Sequence, residues 1–142
     1  MLPRMIVTYR REVATRGQGD AHDITELVAG ALAESQGVAG LTTVFVVGST
    51  AGVTTTEYEP GAVADINQVL ETIAPLGGTY RHHLRWGDDN GSSHVRAALV
   101  GPSLTVPFSE GRLTLGTWQQ ITLIEFDTRP RRREIVIQVL GE

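Results

Sequence analysis

The sequence predicts an α+β domain in which antiparallel β-sheet dominates, folded as a sheet sandwich with two helices. Three observations carry that expectation. Short runs rich in valine, isoleucine and threonine recur along the chain, several with polar–apolar alternation. Turns bearing glycine or proline separate them. Only two stretches, one opening near Asp23 and one near Pro60, carry the i, i+3, i+4 apolar spacing of an amphipathic helix. With 142 residues, 1–142 reads as a single domain, long enough to bury roughly 70% of the surface its unfolded chain exposes.

Residues 5–14 (MIVTYRREVA) place Met5, Val7, Tyr9 and Val13 at the period of a half-exposed strand, and residues 17–20 read as a turn. Asp23 is suited to cap the first helix, with Glu26 three residues on to complete a capping box. Ile24, Leu27, Val28, Ala31 and Leu32 make its apolar stripe, and Gly37 is placed to end it. Residues 41–47 (LTTVFVV) predict a buried strand. A small-residue loop, 48–52, leads into a second strand over 53–58. Pro60 and Gly61 break that strand and open the second helix, with Val63, Ile66, Val69, Leu70 and Ile73 as its apolar face and Pro75 as its stop.

Residues 75–92 read as a long polar connection holding His82, His83 and Trp86. Connections of that length are uncommon in compact domains and often functional. From residue 93 onward the pattern predicts strands and turns. Residues 93–100 alternate, with His94 and Arg96 on one face. Residues 104–108 are extended, and Ser109-Glu110-Gly111 reads as a hairpin loop. Residues 112–115 and 117–126 read as strands, 127–133 as a charged turn around Pro130, and 134–140 as the last strand.

Composition excludes much chemistry. The chain has no cysteine, so thiol nucleophiles, disulfides, iron–sulfur clusters and thiolate zinc sites are ruled out. It also has no lysine: all 12 basic residues are arginine, which removes Schiff-base chemistry and a Walker phosphate loop. Sixteen acidic residues give a net charge of −4, which argues against a nucleic-acid partner. No apolar run approaches the roughly 18 residues of a membrane span. The N-terminal segment turns charged at Arg10 before any signal-peptide core forms. A cytoplasmic protein with neither nucleic acid nor membrane as partner is expected.

Several constellations remain. His82, His83 and His94 fall close together, with Glu57, Asp88 and Asp89 as carboxylates that join them in a metal-ligand set. Zinc needs three or four converging donors. If residues 81–84 are extended, His82 and His83 point opposite ways and one of them at most joins His94; an exposed histidine pair on a loop is the plainer alternative. The Gly48-Ser49-Thr50-Ala51-Gly52 loop suits an anion through backbone N–H groups and two hydroxyls, or is a tight turn chosen for shape. Arg129, Arg131, Arg132 and Arg133 either clamp phosphate or pair with acidic residues. Glu57, at the end of a strand, is placed as a general base or is a surface residue. Trp118 and Gln119 put an aromatic and an amide on opposite faces of one strand, where core packing is the default for the tryptophan.

In order along the chain, these stretches resemble the YjbQ-like family, associated with a secondary thiamine-phosphate synthase activity. The matching residues are the strand–turn–strand ending at Glu57, Tyr80-Arg81-His82, Asn90-Gly91 with His94, Gly101-Pro102-Ser103, Gly116-Thr117-Trp118-Gln119-Gln120-Ile121, and Glu125-Phe126-Asp127 with the arginine-rich turn. The resemblance implies a homotrimer with a histidine-lined site near the subunit boundary, fed by His82 and His94. The family pattern also carries a third histidine, in His-Thr-Thr-Ala. This chain has Gly48 there, in Gly-Ser-Thr-Ala, and Thr56-Glu57 where the family has Asn-Glu.

The site expected on these grounds has Glu57, His94 and Arg96 as catalytic groups, and Gly48, Ser49, Thr50, Trp118 and Gln119 against a small phosphorylated or anionic ligand. His82 and His94 are the expected ligands of a divalent metal, zinc or magnesium. The activity implied is the joining of a pyrimidine-methyl diphosphate to a thiazole phosphate, with pyrophosphate leaving. The alternatives are a non-catalytic trimer that binds phosphate or a small anionic metabolite, and a metal-assisted phosphate-ester hydrolase.

Overall fold

A computed structural model describes residues 4–142. The elements in chain order are β1 (Met5–Ala14), β2 (Ala21–Asp23), α1 (Thr25–Ser35), β3 (Gly40–Val46), β4 (Ala51–Thr56), α2 (Pro60–Ile73), α3 (Arg81–Trp86), α4 (Gly91–Val100), β5 (Ser103–Ser109), β6 (Arg112–Leu113), β7 (Gln120–Glu125) and β8 (Arg132–Gly141). One sheet has the order β1-β8-β3-β5-β6 and the other β2-β7-β4, every neighbouring pair antiparallel. The α+β class and the antiparallel sheets agree with the sequence reading.

Alternation explains the larger sheet. β1 half-buries every second residue, and β8 turns Arg133, Ile135, Ile137 and Val139 inward. Val44, Val46 and Val106 add to that face. Val53, Ile121 and Leu123 meet it from the smaller sheet, with Ile24, Val28 and Ala31 of α1 in the same core. β7 is buried from Ile121 to Glu125, because it is the central strand of its sheet and is covered on both faces. A second cluster, Leu70, Ala97, Ile124 and Phe126, seats α2 and α4 on the outer face of β7. No described helix is long and apolar enough to cross a membrane.

Four described helices replace the two expected. The expected strand over 93–100 is α4. Its buried residues, Ser92, Ser93, Arg96 and Ala97, recur with helical rather than strand period. Asn90 stands at its N-cap and Gly101, at φ 93°, ends it. The long connection folds back as α3, closed by Gly87 in the left-handed region at φ 66°. β2 adds a strand that its three residues did not announce, paired to β7. Asp23 accepts from the Thr25 N–H at 3.0 Å, but Ile24 takes the N-cap position, so the capping box does not form. Val69 and Ile73 of α2 stay exposed, and only Leu70 of the stripe is buried.

Candidate functional site

Helices α3 and α4 meet at the end of the sandwich where the β3–β4 turn crosses it. Helical 81–86 sends His82 toward His94 and His83 toward Tyr80 and the first residue of α4. The rings of His82 and His94 approach to 4.4 Å between centroids, inclined at 40°. His83 instead accepts the Gly91 N–H at 3.1 Å and lies edge-on to Tyr80. The extended 81–84 on which the sequence expectation rests is a helix instead, and in that geometry one histidine of the pair meets His94.

His94 is half-buried at the rim of a depression of about 290 Å³, lined also by Gly48, Ser49, Ala51, Ala97, Ala98 and Pro102. Burial, and then the neighbouring His82, hold its imidazole below the ordinary histidine value of 6.5, against the opposing pull of Asp127, Asp88 and the Ser49 backbone. The shift favours the neutral imidazole, which leaves one ring nitrogen free to accept a proton. His82 Nδ1 lies 3.2 Å from Asp88 Oδ1, within ion-pair range but without hydrogen-bond geometry, and is otherwise buried without a partner.

Beneath the turn lies a buried polar network. Burial works to raise the Asp127 carboxyl. The Thr128 N–H, the Thr50 hydroxyl, Arg131 and Arg129 outweigh it and hold the group below the ordinary value of 3.8. Thr50 Oγ1 donates to Asp127 Oδ2 at 3.1 Å, and Arg131 Nη1 does so at 2.9 Å. Glu125, with no exposed surface, accepts from Thr15 Oγ1 at 2.6 Å, from the Asp127 N–H at 3.0 Å and from Arg133. Of the four arginines in the charged turn, Arg131, Arg132 and Arg133 are thus paired with Asp127, Glu12 and Glu125. Pairing, not a free phosphate clamp, is their main occupation. In the sequence, Glu125 and Asp127 stand out only as part of a family motif. Two acidic residues two apart, ahead of an arginine-rich turn, were the available signal.

The structure divides the remaining expected residues. Gly48 and Ser49 are exposed on the turn beside His94, and Thr50 is buried under it. Arg96 is engaged elsewhere. Its Nε donates to the Ala74 carbonyl at 2.9 Å and its Nη2 to Glu71, so its guanidinium ties α4 to α2 and is turned away from His94. Glu57 is exposed just beyond the far end of β4, whose first residue adjoins the Thr50 turn. Six residues of strand put it roughly 20 Å from the histidines of its own chain. Gln119 joins that far end through Thr55 Oγ1, at 3.3 Å. Trp118 is not a core residue: β7 begins only at Gln120, and the indole projects from the preceding turn at 73% exposure.

Among the described residues, no three histidine, aspartate or glutamate side chains are gathered so as to hold a metal ion. His82 and His94 supply two nitrogens, short of what zinc needs. As arranged, the described residues do not fit a divalent metal without donors from elsewhere.

Comparison with known proteins agrees with the fold. The family model for the UPF0047 protein YjbQ-like matches residues 9–142. A UPF0047 protein of Methanothermobacter thermautotrophicus is 38% identical over 138 residues, covering 96% of this chain and 94% of the relative. YugU of Bacillus subtilis, also a UPF0047 protein, is 32% identical over 92% of this chain and 96% of its own. The crystal structure of a YbjQ-like protein of unknown function from Sulfolobus solfataricus superposes with a TM-score of 0.87 at 30% identity, over 97% of this chain and all of that one. A hypothetical protein of Aeropyrum pernix superposes at 0.88 with 35% identity, over 96% and 99%.

Proposed function

The chain belongs to the UPF0047 YjbQ-like family, and on that footing we propose that the corner around His94 binds a small phosphorylated metabolite, with His94 as its proton acceptor. The observation that carries this is the His82–His94 pair, with His94 held neutral beside the open Gly48–Ser49 turn. A neutral imidazole in a half-buried pocket is poised to take a proton near neutral pH. The reaction to test first is the one the resemblance implies. A thiazole nitrogen attacks the methylene carbon of a pyrimidine-methyl diphosphate, a C–N bond forms as the C–O bond breaks, and pyrophosphate leaves. The attacking nitrogen carries no proton, so in this step neutral His94 serves by accepting a hydrogen bond from a protonated phosphate oxygen. In this reading Ser49 orients the phosphate, and Glu57, Trp118 and Gln119 reach the ligand from a neighbouring subunit of a homotrimer, since their own chain holds them at the opposite end of β4.

A second reading, binding without turnover, is favoured by one feature. Gly48 stands where the family pattern has a histidine, leaving two imidazoles in place of three. Incubation with both phosphorylated substrates, read by mass spectrometry for thiamine phosphate, separates the two. Product formed by the native protein and lost in His94→Ala supports the transferase. No product, but saturable binding of a phosphate monoester that His94→Ala weakens, supports the binding protein. Neither product nor binding overturns both.

A further inference from the structure

The chain has no lysine, so a fixed positive charge that faces a phosphate here is an arginine. One arginine is arranged for it. Arg133 is 2% exposed and meets Glu125 side-on, Nε donating to Oε1 at 2.8 Å and Nη2 donating to Oε2. Nη2 also donates to the Thr50 carbonyl at 3.0 Å and to Thr50 Oγ1 at 2.7 Å. A side-on pair of this kind spends one edge of the planar guanidinium and leaves Nη1, with its two N–H donors, at the other. Among the described residues Nη1 has no hydrogen-bond partner, although the side chain around it is almost wholly buried.

What Nη1 does face is the bare α-carbon of Gly48. A Cβ built there would stand 2.8 Å from Nη1, too close to be accommodated without displacing the guanidinium. Gly48 also has φ +125°, where side-chain-bearing residues are strained. The glycine therefore keeps a gap over the one unspent edge of a buried cation. That gap lies in the same turn whose next residue, Ser49, faces the ring of His94.

We propose that Arg133 Nη1 is the cationic donor of an oxyanion subsite at the Gly48–Ser49 turn, taking one oxygen of a phosphate group. Position 48 then decides whether the guanidinium is presented at all, and glycine leaves it uncovered in this chain. The inference rests on the reading that the His94 corner takes a phosphorylated ligand. Glu125 balances the charge of Arg133, but it lies on the opposite edge and leaves the Nη1 protons directed outward.

Titration of the full-length protein with inorganic phosphate and with methyl phosphate, followed through the Arg133 guanidinium and His94 imidazole NMR signals, tests both layers separately. The expected result is that both sets of signals shift together, and that Gly48→Ala weakens phosphate binding by about tenfold or more, the size of one charge-assisted hydrogen bond. Should Gly48→Ala fail to fold, the guanidinium signals of the native protein decide the matter alone. A shift at His94 with a silent Arg133 overturns the subsite while sparing the phosphate reading, and so does unchanged affinity in a folded Gly48→Ala. Silence at both residues overturns the phosphate reading and the subsite with it.

Discussion

The rings of His82 and His94, which come from different helices, lie 4.4 Å apart between centroids and inclined at 40°. Two imidazoles so close resist double protonation, and burial adds to the resistance at His94. His94 is expected to titrate below 6.5, and His82→Ala to move it upward. Because the folded value lies below the unfolded one, the unfolded chain binds the extra proton first. The associated stability is complete above the unfolded value and is lost as pH falls through the folded one. Imidazole NMR shifts and melting temperatures between about pH 8 and 5 check this. A His94 that titrates at or above the ordinary value contradicts it.

Arg96 is expected to matter for stability and not for ligand. Arg96→Ala removes the bond to the Ala74 carbonyl and the pair with Glu71, at a cost of about 1–3 kcal/mol in urea unfolding. Phosphate affinity stays unchanged. A variant of native stability that no longer binds phosphate would restore Arg96 to the site.

Glu125 and Arg133 form the most deeply buried ion pair described, at 0% and 3% side-chain exposure. Glu125→Leu alone strands a buried guanidinium and is expected to cost about 3–5 kcal/mol. Glu125→Leu combined with Arg133→Met removes both charges and is expected to cost less than the single variant. Denaturant midpoints of the two variants and the native protein give the comparison, and a double variant as unstable as Glu125→Leu contradicts it.

The prediction for the backbone concerns Gly40 and Gly141, which face each other across β3 and β8. A Cβ on either would run into the facing strand, at Leu140 O from Gly40 and at Ala39 O from Gly141. Gly141→Ala is therefore expected to lower stability by about 1–3 kcal/mol through a forced backbone shift. Thermal unfolding measures it, and an unchanged melting temperature would show that the strands separate freely.

Trp118, displayed to solvent on one chain, is assigned to a subunit contact in the proposed trimer. Sedimentation equilibrium is expected to give a mass three times that of the chain, with Trp118→Ala shifting the protein toward smaller species. A monomer at all concentrations removes the neighbouring-subunit role given to Glu57, Trp118 and Gln119.

The sheets are legible in the sequence because burial on one face writes itself as alternation: residues 5–14 read as a strand, and β1 occupies those residues. Helices α3 and α4 are hidden there for physical reasons. In Ser93–Val100 the residues His94, Val95, Arg96 and Ala97 fit a two-residue period on paper, and the true signal is that Ser92, Ser93, Arg96 and Ala97 are all small or paired. An arginine on the buried face of a helix looks polar until its partners, Ala74 and Glu71, are known. The same holds for the site. The histidines are visible by residue type, but Arg133 is one of four neighbouring arginines, and only folding shows which of its nitrogens is left without a partner.

The first and last strands of the described chain lie side by side, Met5 opposite Gly141 and Ala14 opposite Arg132. During synthesis at roughly 5–20 residues per second, β1 waits on the order of ten seconds for the strand that will pair with it. β3 waits for the same strand, because β8 is inserted between the two. Translation order and sheet order are therefore opposed, and for that interval two strands with free edges and apolar faces are available to any neighbouring nascent chain. A cell that makes this protein rapidly is expected to lose some of it to aggregation before it loses any to unfolding.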